Sequence, residues 1–359
     1  MHNAPPPVEL SPPAHFAALR NLVTAAFPAS RGQFICDPMP GGASARRYFR
    51  LRIPGTMETS AVAMFVPDGG APEEVVKDSG VAARWPFLEV RDLLASRGVD
   101  VPRVYAEDTA RGWIVLEDLG DDTLAAFLAA RTDAFTRERL YVRAVADLAR
   151  AQNALSVLPE QSVVASRAFD RDLLSWEIHH FREWALDARG FSLSPDDRTV
   201  FDEASARIAS RISSWPRVFV HRDYQSRNLM VRPSGEICWI DFQDALLGPR
   251  VYDLVALLND SYQVFDRAFV EARLDDYARA SRLTSEERAA LGREFDIVTV
   301  QRKLKDAGRF VFIDRVKGNA SFLKYVDMTI EKARASLARL GDDEDMRAIS
   351  GVLARVLPR

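Results

Sequence analysis

The sequence has few cysteines, no long apolar run and no excess of charge of one sign. Cys36 and Cys238 are its only cysteines in 359 residues, which excludes a scaffold held together by several disulfides. No stretch reaches the roughly 18 consecutive apolar residues that a membrane-spanning helix needs. The 48 Lys and Arg residues nearly balance the 51 Asp and Glu residues, so we expect neither nucleic-acid nor membrane partners.

The chain is long enough to bury a core without disulfides or metals. Residues 1–10 contain three prolines and no positively charged segment ahead of an apolar run, so we predict no secretory signal. Both cysteines fall in strand-like segments, and we interpret them as buried free thiols in a reducing compartment. We therefore expect a cytoplasmic protein.

Short runs separated by turn residues predict a small antiparallel sheet in the first third of the chain. A helix at 14–27 precedes it, and a second helix at 86–96 lies between its third and fourth strands. The predicted strands are 33–39, 47–53, 60–66, 101–105 and 113–116. From residue 123 onward, apolar residues recur at helical spacing, as in the stripe 323–340, which we expect to lie in a helical core.

The segment His221–Asn228, with the sequence HRDYQSRN, carries the strongest chemical signal. It follows an apolar run at 218–220 and has the full spacing of a kinase catalytic loop. Phosphoryl transfer needs a group that orients the attacking hydroxyl and accepts its proton, and side-chain oxygens that hold magnesium on the nucleotide phosphates. We predict that Asp223 has the first role and that Asn228 is a magnesium ligand.

A second motif, the sequence DFQ from Asp241, follows Asn228 by thirteen residues. A turn and an apolar run at 233–240 separate the two, which predicts a hairpin that brings both residues to one end of two strands. Asp241 is therefore the second predicted magnesium ligand. The alternative is that His221 and Asp223 form a buried hydrogen-bonded pair and that Asp241 only ends a strand, but the ordered pair of motifs favours a phosphotransferase.

On these residues the chain resembles the aminoglycoside phosphotransferase and choline kinase group of kinase-like enzymes, over nearly its whole length. We expect an α+β, bilobal, protein-kinase-like fold. An N-terminal extension and helix would occupy 1–30, a small antiparallel-sheet lobe 31–119, and a mainly helical lobe 120–359. The connection 117–120 would be a hinge beside a cleft that holds ATP.

Within that group, the segments 41–51 and 240–245 look like the bacterial cell-wall amino-sugar kinases. Those enzymes phosphorylate the anomeric hydroxyl of N-acetylmuramate and N-acetylglucosamine. The resemblance implies ATP and Mg²⁺ as cofactors, an amino sugar as the partner, a sugar 1-phosphate as the product, and a place in peptidoglycan recycling.

A glycine-containing turn between two predicted strands is the candidate phosphate-binding loop, because its backbone N–H groups and a hydroxyl could approach phosphate oxygens. The same residues could form a plain structural turn. The strand that ends near Glu117 would present backbone groups to adenine, or simply lead into the next helix. The cofactor-binding candidates are Gly41, Gly42, Ser44, Arg46, Glu117 and Leu119.

The predicted third strand, 60–66, lacks the lysine that contacts the phosphates in protein kinases, and Lys77 is the nearest one. Either an arginine supplies the missing charge, or the protein binds nucleotide without turnover. The amino-sugar kinases also manage without this lysine, as the resemblance implies, which favours an active enzyme.

The segment 176–184 mixes aromatic and polar residues on a predicted helix, and aromatic faces stack on sugar rings. The acceptor candidates are Glu177, His180 and Trp184. The alternative is an amphipathic helix with Trp176 and Trp184 in the core and solvated histidines. A basic run at 302–305 could meet a lactyl carboxylate or a phosphate, or could form a solvated face.

By the same resemblance, Asp253 braces the catalytic loop through backbone N–H groups, and His221 gives it structural support. We predict that 248–254 opens a helix. Rival acceptors are an aminoglycoside, choline or another alcohol, and a rival of another class is a nucleotide-binding pseudokinase that regulates a partner protein. We expect a monomer.

Overall fold

A five-stranded antiparallel sheet forms the N-terminal part of the structure, a computed structural model that describes residues 13–40, 46–67, 84–130 and 133–357. The strands are β1 Ile35–Pro38, β2 Arg47–Arg52, β3 Ser60–Phe65, β4 Val104–Asp108 and β5 Trp113–Glu117. Their order across the sheet is β1-β2-β3-β5-β4, and each neighbouring pair is antiparallel. The predicted antiparallel sheet is confirmed.

The fourth strand begins at Val104, later than the sequence pattern predicted. Pro102 has no N–H to donate to a strand ladder. The Arg103 N–H is also diverted, because it donates to the Glu117 carboxylate at 3.1 Å. Regular pairing therefore starts only after these two residues.

Helix α1, Pro13–Ala26, packs on this sheet with the spacing that its sequence predicted. Its Leu19 and Val23 are completely buried in one cluster with Leu51, Ala63 and Trp113. Complete burial of a Leu or Val side chain contributes about 1.5–3 kcal/mol, so these contacts hold the helix on the sheet.

Contacts divide the chain into two units, Met1–Glu74 with Pro102–Gly120 and Val75–Val101 with Asp121–Arg359. The second unit is mainly helical. Its helices are α2 Pro86–Ser96, α3 Leu124–Ala129, α4 Ala134–Ala154, α5 Arg171–His180, α6 Pro195–Ser213, α7 Tyr252–Leu258, α8 Arg267–Ala280, α9 Ser285–Lys317, α10 Val326–Arg339 and α11 Glu344–Val356.

Helix α2 groups with this helical unit, whereas the sequence analysis placed 86–96 in the sheet lobe. Its Phe87 ring stacks on Phe242 with centroids 5.2 Å apart, and its Glu89 carboxylate accepts the Val163 N–H. The expected lobe boundary at 119–120 stays a prediction.

The longest helix described, α9, has 33 residues and runs through the centre of the helical unit. It starts at a capping box formed by Thr284 and Glu287 and ends at Gly318, whose φ of 68° suits glycine. At Gly308 the helix approaches His180 so closely that a Cβ there would lie 2.6 Å from the His180 carbonyl oxygen. A glycine at this position therefore allows α9 to pack against the end of α5.

Two short strand pairs frame the predicted catalytic motifs. Strand β6, Arg217–Val220, pairs with β9, Leu246–Pro249, and β7, Leu229–Val231, pairs with β8, Ile237–Trp239. The β7–β8 turn is closed by the Arg232 N–H donating to the Glu236 carbonyl at 2.9 Å. The hairpin predicted between the two motifs is therefore present.

Two helix predictions were wrong in part. The segment 248–254 does not open as a helix, because Gly248 lies in β9 against the Phe169 ring, Pro249 ends that strand, and α7 starts only at Tyr252. The stripe 323–340 is core except for Leu323, which is 39% exposed in a short 3₁₀ turn before α10.

The cysteines match their predicted strands, and both are free. Cys238 is buried, whereas Cys36 is only half-buried, so its predicted burial was wrong. Within the described residues, no helix combines the length and apolar composition needed to cross a membrane.

Candidate active site

The loop between β6 and β7 holds the first predicted motif. His221 is completely buried and packs edge-on against Tyr224 and Trp239, with ring centroids 5.6 and 5.7 Å away. The next residue, Arg222, has a φ of 80°, which is strained for a residue with a bulky side chain. The loop therefore turns sharply just before Asp223.

A buried carboxylate on α7 holds the start of this loop. The Asp253 oxygens accept the His221 N–H at 2.7 Å and the Arg222 N–H at 3.0 Å. Burial, partly offset by these two N–H donors, raises the pKa of Asp253 to about 7. These are the backbone contacts that the resemblance implied for Asp253.

The three residues predicted to carry the chemistry lie together. The Asn228 amide nitrogen donates to the Asp223 carbonyl oxygen at 2.9 Å and lies 3.5 Å from an Asp241 carboxylate oxygen. Asp241 lies two residues after β8 and has a φ of 63°, and its other oxygen accepts from the Gln243 amide at 3.0 Å. The loop and the hairpin thus converge on one small region, while the roles of these residues remain predictions.

Cations surround the Asp223 carboxylate, whose side chain is 37% exposed. Burial opposes its ionisation, but the Arg302 guanidinium and the Lys305 ammonium outweigh that effect and lower the pKa of Asp223. Arg302 approaches most closely, with its Nη2 3.5 Å from the Asp223 Oδ1. Asp223 is therefore ionised at neutral pH.

A second buried carboxylate, which the sequence analysis missed, holds the middle of the loop. One Asp260 oxygen accepts both the Ser226 N–H, at 3.0 Å, and the Ser226 hydroxyl proton. The other accepts the Tyr262 N–H at 3.0 Å. An Asp two residues after the apolar helix α7 was the available signal, because a buried acid requires donors nearby.

The basic run at 302–305 is not a solvated face, and that alternative is wrong. Arg302, Lys303 and Lys305 are 2%, 1% and 7% exposed because α9 is enclosed by other helices. Both lysines pair with the Asp306 carboxylate, at 2.8 and 3.3 Å. The Arg302 guanidinium lies over the Tyr252 ring and donates to the Arg222 carbonyl oxygen in the 221–228 loop.

Glu177, the first acceptor candidate, is completely buried. Its Oε2 accepts from the Gln301 amide at 2.6 Å, and its Oε1 lies 3.6 Å from the Arg222 guanidinium. Burial raises the pKa of Glu177 against the lowering effects of Lys305 and the Gln301 hydrogen bond. These contacts place Glu177 in a buried network of polar side chains that supports the loop at Arg222.

His180 and Trp184 belong to an aromatic cluster at the end of α5. The His180 ring is 4% exposed and stacks on Trp176 at 5.2 Å, with Trp184 and Phe312 at 6.1 and 5.4 Å. Burial, with the charges of Arg309 and a nearby lysine, lowers the pKa of His180 to about 4. The alternative with Trp176 in the core and solvated histidines is wrong, since Trp176 is 39% exposed while His180 is buried.

The chain does not continue as an α-helix beyond His180. It forms a π-helix at Phe181–Leu186. This geometry is rare in proteins, and where it occurs it is often found at functional sites. This segment carries Trp184, which is half-buried. The aromatic cluster therefore presents partly exposed ring surface beside the end of α5.

The nucleotide-binding candidates are only partly described. Gly41, Gly42 and Ser44 lie outside the described residues, as does Lys77. Arg46 is half-buried directly before β2, and Leu119 is half-buried after β5. The Glu117 carboxylate is engaged by Arg103, so any contact to adenine from this segment would come from the backbone.

The third strand of the sheet contains no lysine, as the sequence indicated. On the neighbouring strand, Arg50 stands opposite Val62 and pairs with the Asp118 carboxylate at 2.9 Å. This contact links β2 to the 117–120 connection and was not predicted from sequence.

The described residues contain no group of three or more His, Cys, Asp or Glu side chains suited to a metal ion. Mg²⁺ in phosphotransferases needs fewer protein ligands, because substrate phosphates and water complete its shell. Asp241 with the adjacent Asn228 offers the carboxylate and amide oxygens that such an ion prefers. The donor set therefore fits Mg²⁺.

Comparisons with known proteins agree with this arrangement. A family model described as "Phosphotransferase enzyme family" matches residues 36–291. A protein from Pseudomonas putida named N-acetylmuramate/N-acetylglucosamine kinase is 31% identical over 313 residues, covering 84% of each chain. A protein of the same name from Neisseria meningitidis is 34% identical over 275 residues, covering 75% of each chain.

Solved structures confirm the predicted kinase-like fold. An ethanolamine kinase from Plasmodium vivax has a TM-score of 0.62 at 14% identity, covering 89% of this chain and 87% of its own. A choline kinase from Streptococcus pneumoniae has a TM-score of 0.58 at 16% identity, covering 90% and 98%. At these identities the likeness concerns the fold alone.

Proposed function

Because the chain belongs to the phosphotransferase enzyme family, we propose that it transfers the terminal phosphoryl group of ATP to the anomeric hydroxyl of N-acetylmuramate or N-acetylglucosamine. The observation that carries the chemistry is the convergence of Asp223, Asn228 and Asp241. The shared name of its curated relatives supports the acceptor. The product would be a sugar 1-phosphate, formed in peptidoglycan recycling.

Asp223 is the group that receives the sugar. Its carboxylate orients the anomeric hydroxyl and accepts the proton as the hydroxyl oxygen bonds to the γ-phosphorus. The bond from that phosphorus to the bridging oxygen breaks, and ADP leaves with the electron pair. An anomeric hydroxyl is more acidic than an ordinary alcohol, so a carboxylate with a lowered pKa is a sufficient base.

Asn228 and Asp241 would hold Mg²⁺, which neutralises negative charge on the nucleotide phosphates when it is bound. The Asn228 amide nitrogen is engaged by the Asp223 carbonyl, an orientation that leaves the amide oxygen for the ion. The hairpin β7–β8 and the Asp260 brace keep this pair fixed.

For the nucleotide, we assign the phosphates to Gly41, Gly42, Ser44 and Arg46, and the adenine to backbone groups at Glu117 and Leu119. For the sugar, the exposed Trp176 and the half-buried Trp184 offer a stacking surface. The buried His180 stacks on Trp176 and supports that surface from within, while the buried Glu177 supports the loop at Arg222.

The test is phosphorus NMR of the purified chain with ATP, Mg²⁺ and each amino sugar. We expect a sugar 1-phosphate signal that Asp223→Ala abolishes. Asp327→Asn, at an 86%-exposed carboxylate paired with Arg189, is the matched control and should keep full activity. A wild-type protein that forms no phosphorylated product with either sugar would contradict the proposal.

A second candidate, a nucleotide-binding pseudokinase, is favoured by one observation, the lysine-free third strand. It predicts ATP binding without product from any alcohol. A panel of acceptors that includes an aminoglycoside and choline, read out by ADP release, separates this candidate from a kinase with another acceptor.

A further inference from the structure

The backbone leading into the peptide between Arg222 and Asp223 is held in an unfavourable conformation at Arg222. The Arg222 φ of 80° is rarely adopted by residues other than glycine and asparagine. Such a geometry persists only where surrounding groups fix it, and it commonly marks a functional site. The Asp223 side chain projects from the end of this peptide, so its direction depends on whatever holds Arg222.

The Asp253 carboxylate fixes one side of the turn by accepting the His221 and Arg222 N–H groups. The other side faces α9. There the Arg302 Nη1 donates to the Arg222 carbonyl oxygen at 2.8 Å, and its Nη2 lies 3.5 Å from the Asp223 Oδ1. One guanidinium thus contacts both the strained peptide and the carboxylate that follows it.

The Arg302 side chain is itself firmly held. Arg302 is 2% exposed, and its guanidinium carbon lies 4.7 Å from the centroid of the Tyr252 ring. One helical turn later, the Asp306 Oδ2 lies 3.8 Å from the Arg302 Nε. A guanidinium presents its N–H groups in a rigid fork, which a lysine ammonium cannot reproduce. The geometry is therefore that of a fixed two-point clamp.

We propose that Arg302 is a positioning residue that holds the Asp223 carboxylate in the direction required to meet the acceptor hydroxyl. This inference rests on the proposed role of Asp223 as the group that accepts the hydroxyl proton. Without Arg302, the carbonyl of residue 222 loses its buried donor and the Asp223 side chain gains rotational freedom. Asn228 and Asp241 keep their own supports, so nucleotide binding is retained.

The experiment compares Arg302→Met and Arg302→Lys with Arg273→Met. Arg273 is a matched control because it is also buried, pairs with Asp276 and Glu138, and lies over the Phe269 ring on α8. Each variant is measured for kcat, for KM toward ATP and sugar, for thermal unfolding, and for hydrogen exchange of the peptide spanning 217–231.

We expect Arg302→Met to lower kcat by about 10- to 100-fold, the loss that misplacement of a reacting group typically causes, with KM for ATP changed less than about threefold. Arg302→Lys should recover part of this loss, because it restores one donor and not the fork. Hydrogen exchange should rise at 217–231 in Arg302→Met alone. Arg273→Met should lose thermal stability and keep kcat.

An Arg302→Met protein that folds, binds ATP and keeps wild-type kcat overturns the inference and leaves the proposed function standing. A kcat loss that Arg273→Met shares in proportion to its loss of stability also overturns it. If wild type phosphorylates neither sugar, the proposed function fails, and the same variants are then compared by kcat for ATP hydrolysis or for whichever alcohol is accepted. A phosphotransfer rate that is equal in wild type and Arg302→Met again rejects the inference.

Discussion

The buried ring of His180 makes a specific prediction about how stability depends on pH. Burial and the charge of Arg309 lower its pKa in the folded protein to about 4, whereas an unfolded histidine titrates near pH 6.5. Below pH 6.5 the unfolded chain therefore binds a proton at this residue that the folded chain does not. The contribution of His180 to stability is complete above pH 6.5 and is lost as the pH falls toward 4.

The size of the effect follows from the two pKa values. One pH unit below the unfolded pKa corresponds to about 1.4 kcal/mol, so acidification from pH 7.5 to 5.5 should cost the folded protein about 1.4 kcal/mol at His180. Asp253 acts in the opposite direction, because its pKa of about 7 lets the folded protein take up a proton over the same interval. The pH dependence of wild-type stability therefore combines the opposing contributions of His180 and Asp253. Only a comparison between wild type and a His180 variant isolates the contribution of His180.

The assay is urea unfolding of wild type and His180→Phe at pH 7.5 and pH 5.5. Phenylalanine preserves the ring contacts with Trp176, Trp184 and Phe312 and cannot titrate. We expect acidification to cost the variant about 1.4 kcal/mol less than wild type. His179→Phe is the matched control at the adjacent, more exposed ring, where the lowering of the pKa is opposed by Asp202, and it should show a smaller difference. Equal pH dependence in wild type and His180→Phe would refute the reasoning.

Further predictions concern the 221–228 loop, the proposed Mg²⁺ ligands and the aromatic surface. Asp253→Ala leaves two buried N–H groups without an acceptor, which costs about 1–3 kcal/mol for each group. The free energy of unfolding measured in urea should therefore fall by about 2–6 kcal/mol. Asp275→Ala, which removes an exposed ion pair, is the control and should change this free energy little. Asn228→Ala should raise the Mg²⁺ concentration for half-maximal rate, measured by titration, and an unchanged requirement would contradict its role as a ligand. Trp184→Ala should raise KM for the sugar about 3- to 10-fold with KM for ATP unchanged, as expected for a lost stacking contact.

Much of the fold followed from short-range patterns. The spacing of apolar residues located α1, α2 and the strands of the sheet, because alternation and helical periodicity depend on neighbours only a few residues apart. Errors arose where tertiary contacts override local preference. Gly248 was assigned to a helix but lies in a strand against Phe169, and the helix predicted at 176–184 changes to a π-helix after His180.

In the candidate site too, local sequence patterns identified some residues and only tertiary contacts revealed others. Asp223, Asn228 and Asp241 were found from sequence because a loop and a hairpin bring them together over successive separations of only 5 and 13 residues. The buried clamps on that loop were harder to find. Asp260 acts from 34 residues away and Arg302 from about 80, and no local spacing links either residue to the loop.

The order of residues along the chain by itself located the candidate site and indicated a phosphotransferase, since the motifs around Asp223 and Asp241 carry their own turn and strand context. Tertiary structure alone decided how that chemistry is held in place. Whether a basic residue on α9 meets water or a strained peptide depends on how helices pack, and packing sums many weak contacts between distant segments. For that reason Arg302 reads as a surface cation in the sequence and as a buried partner of the catalytic loop in the fold.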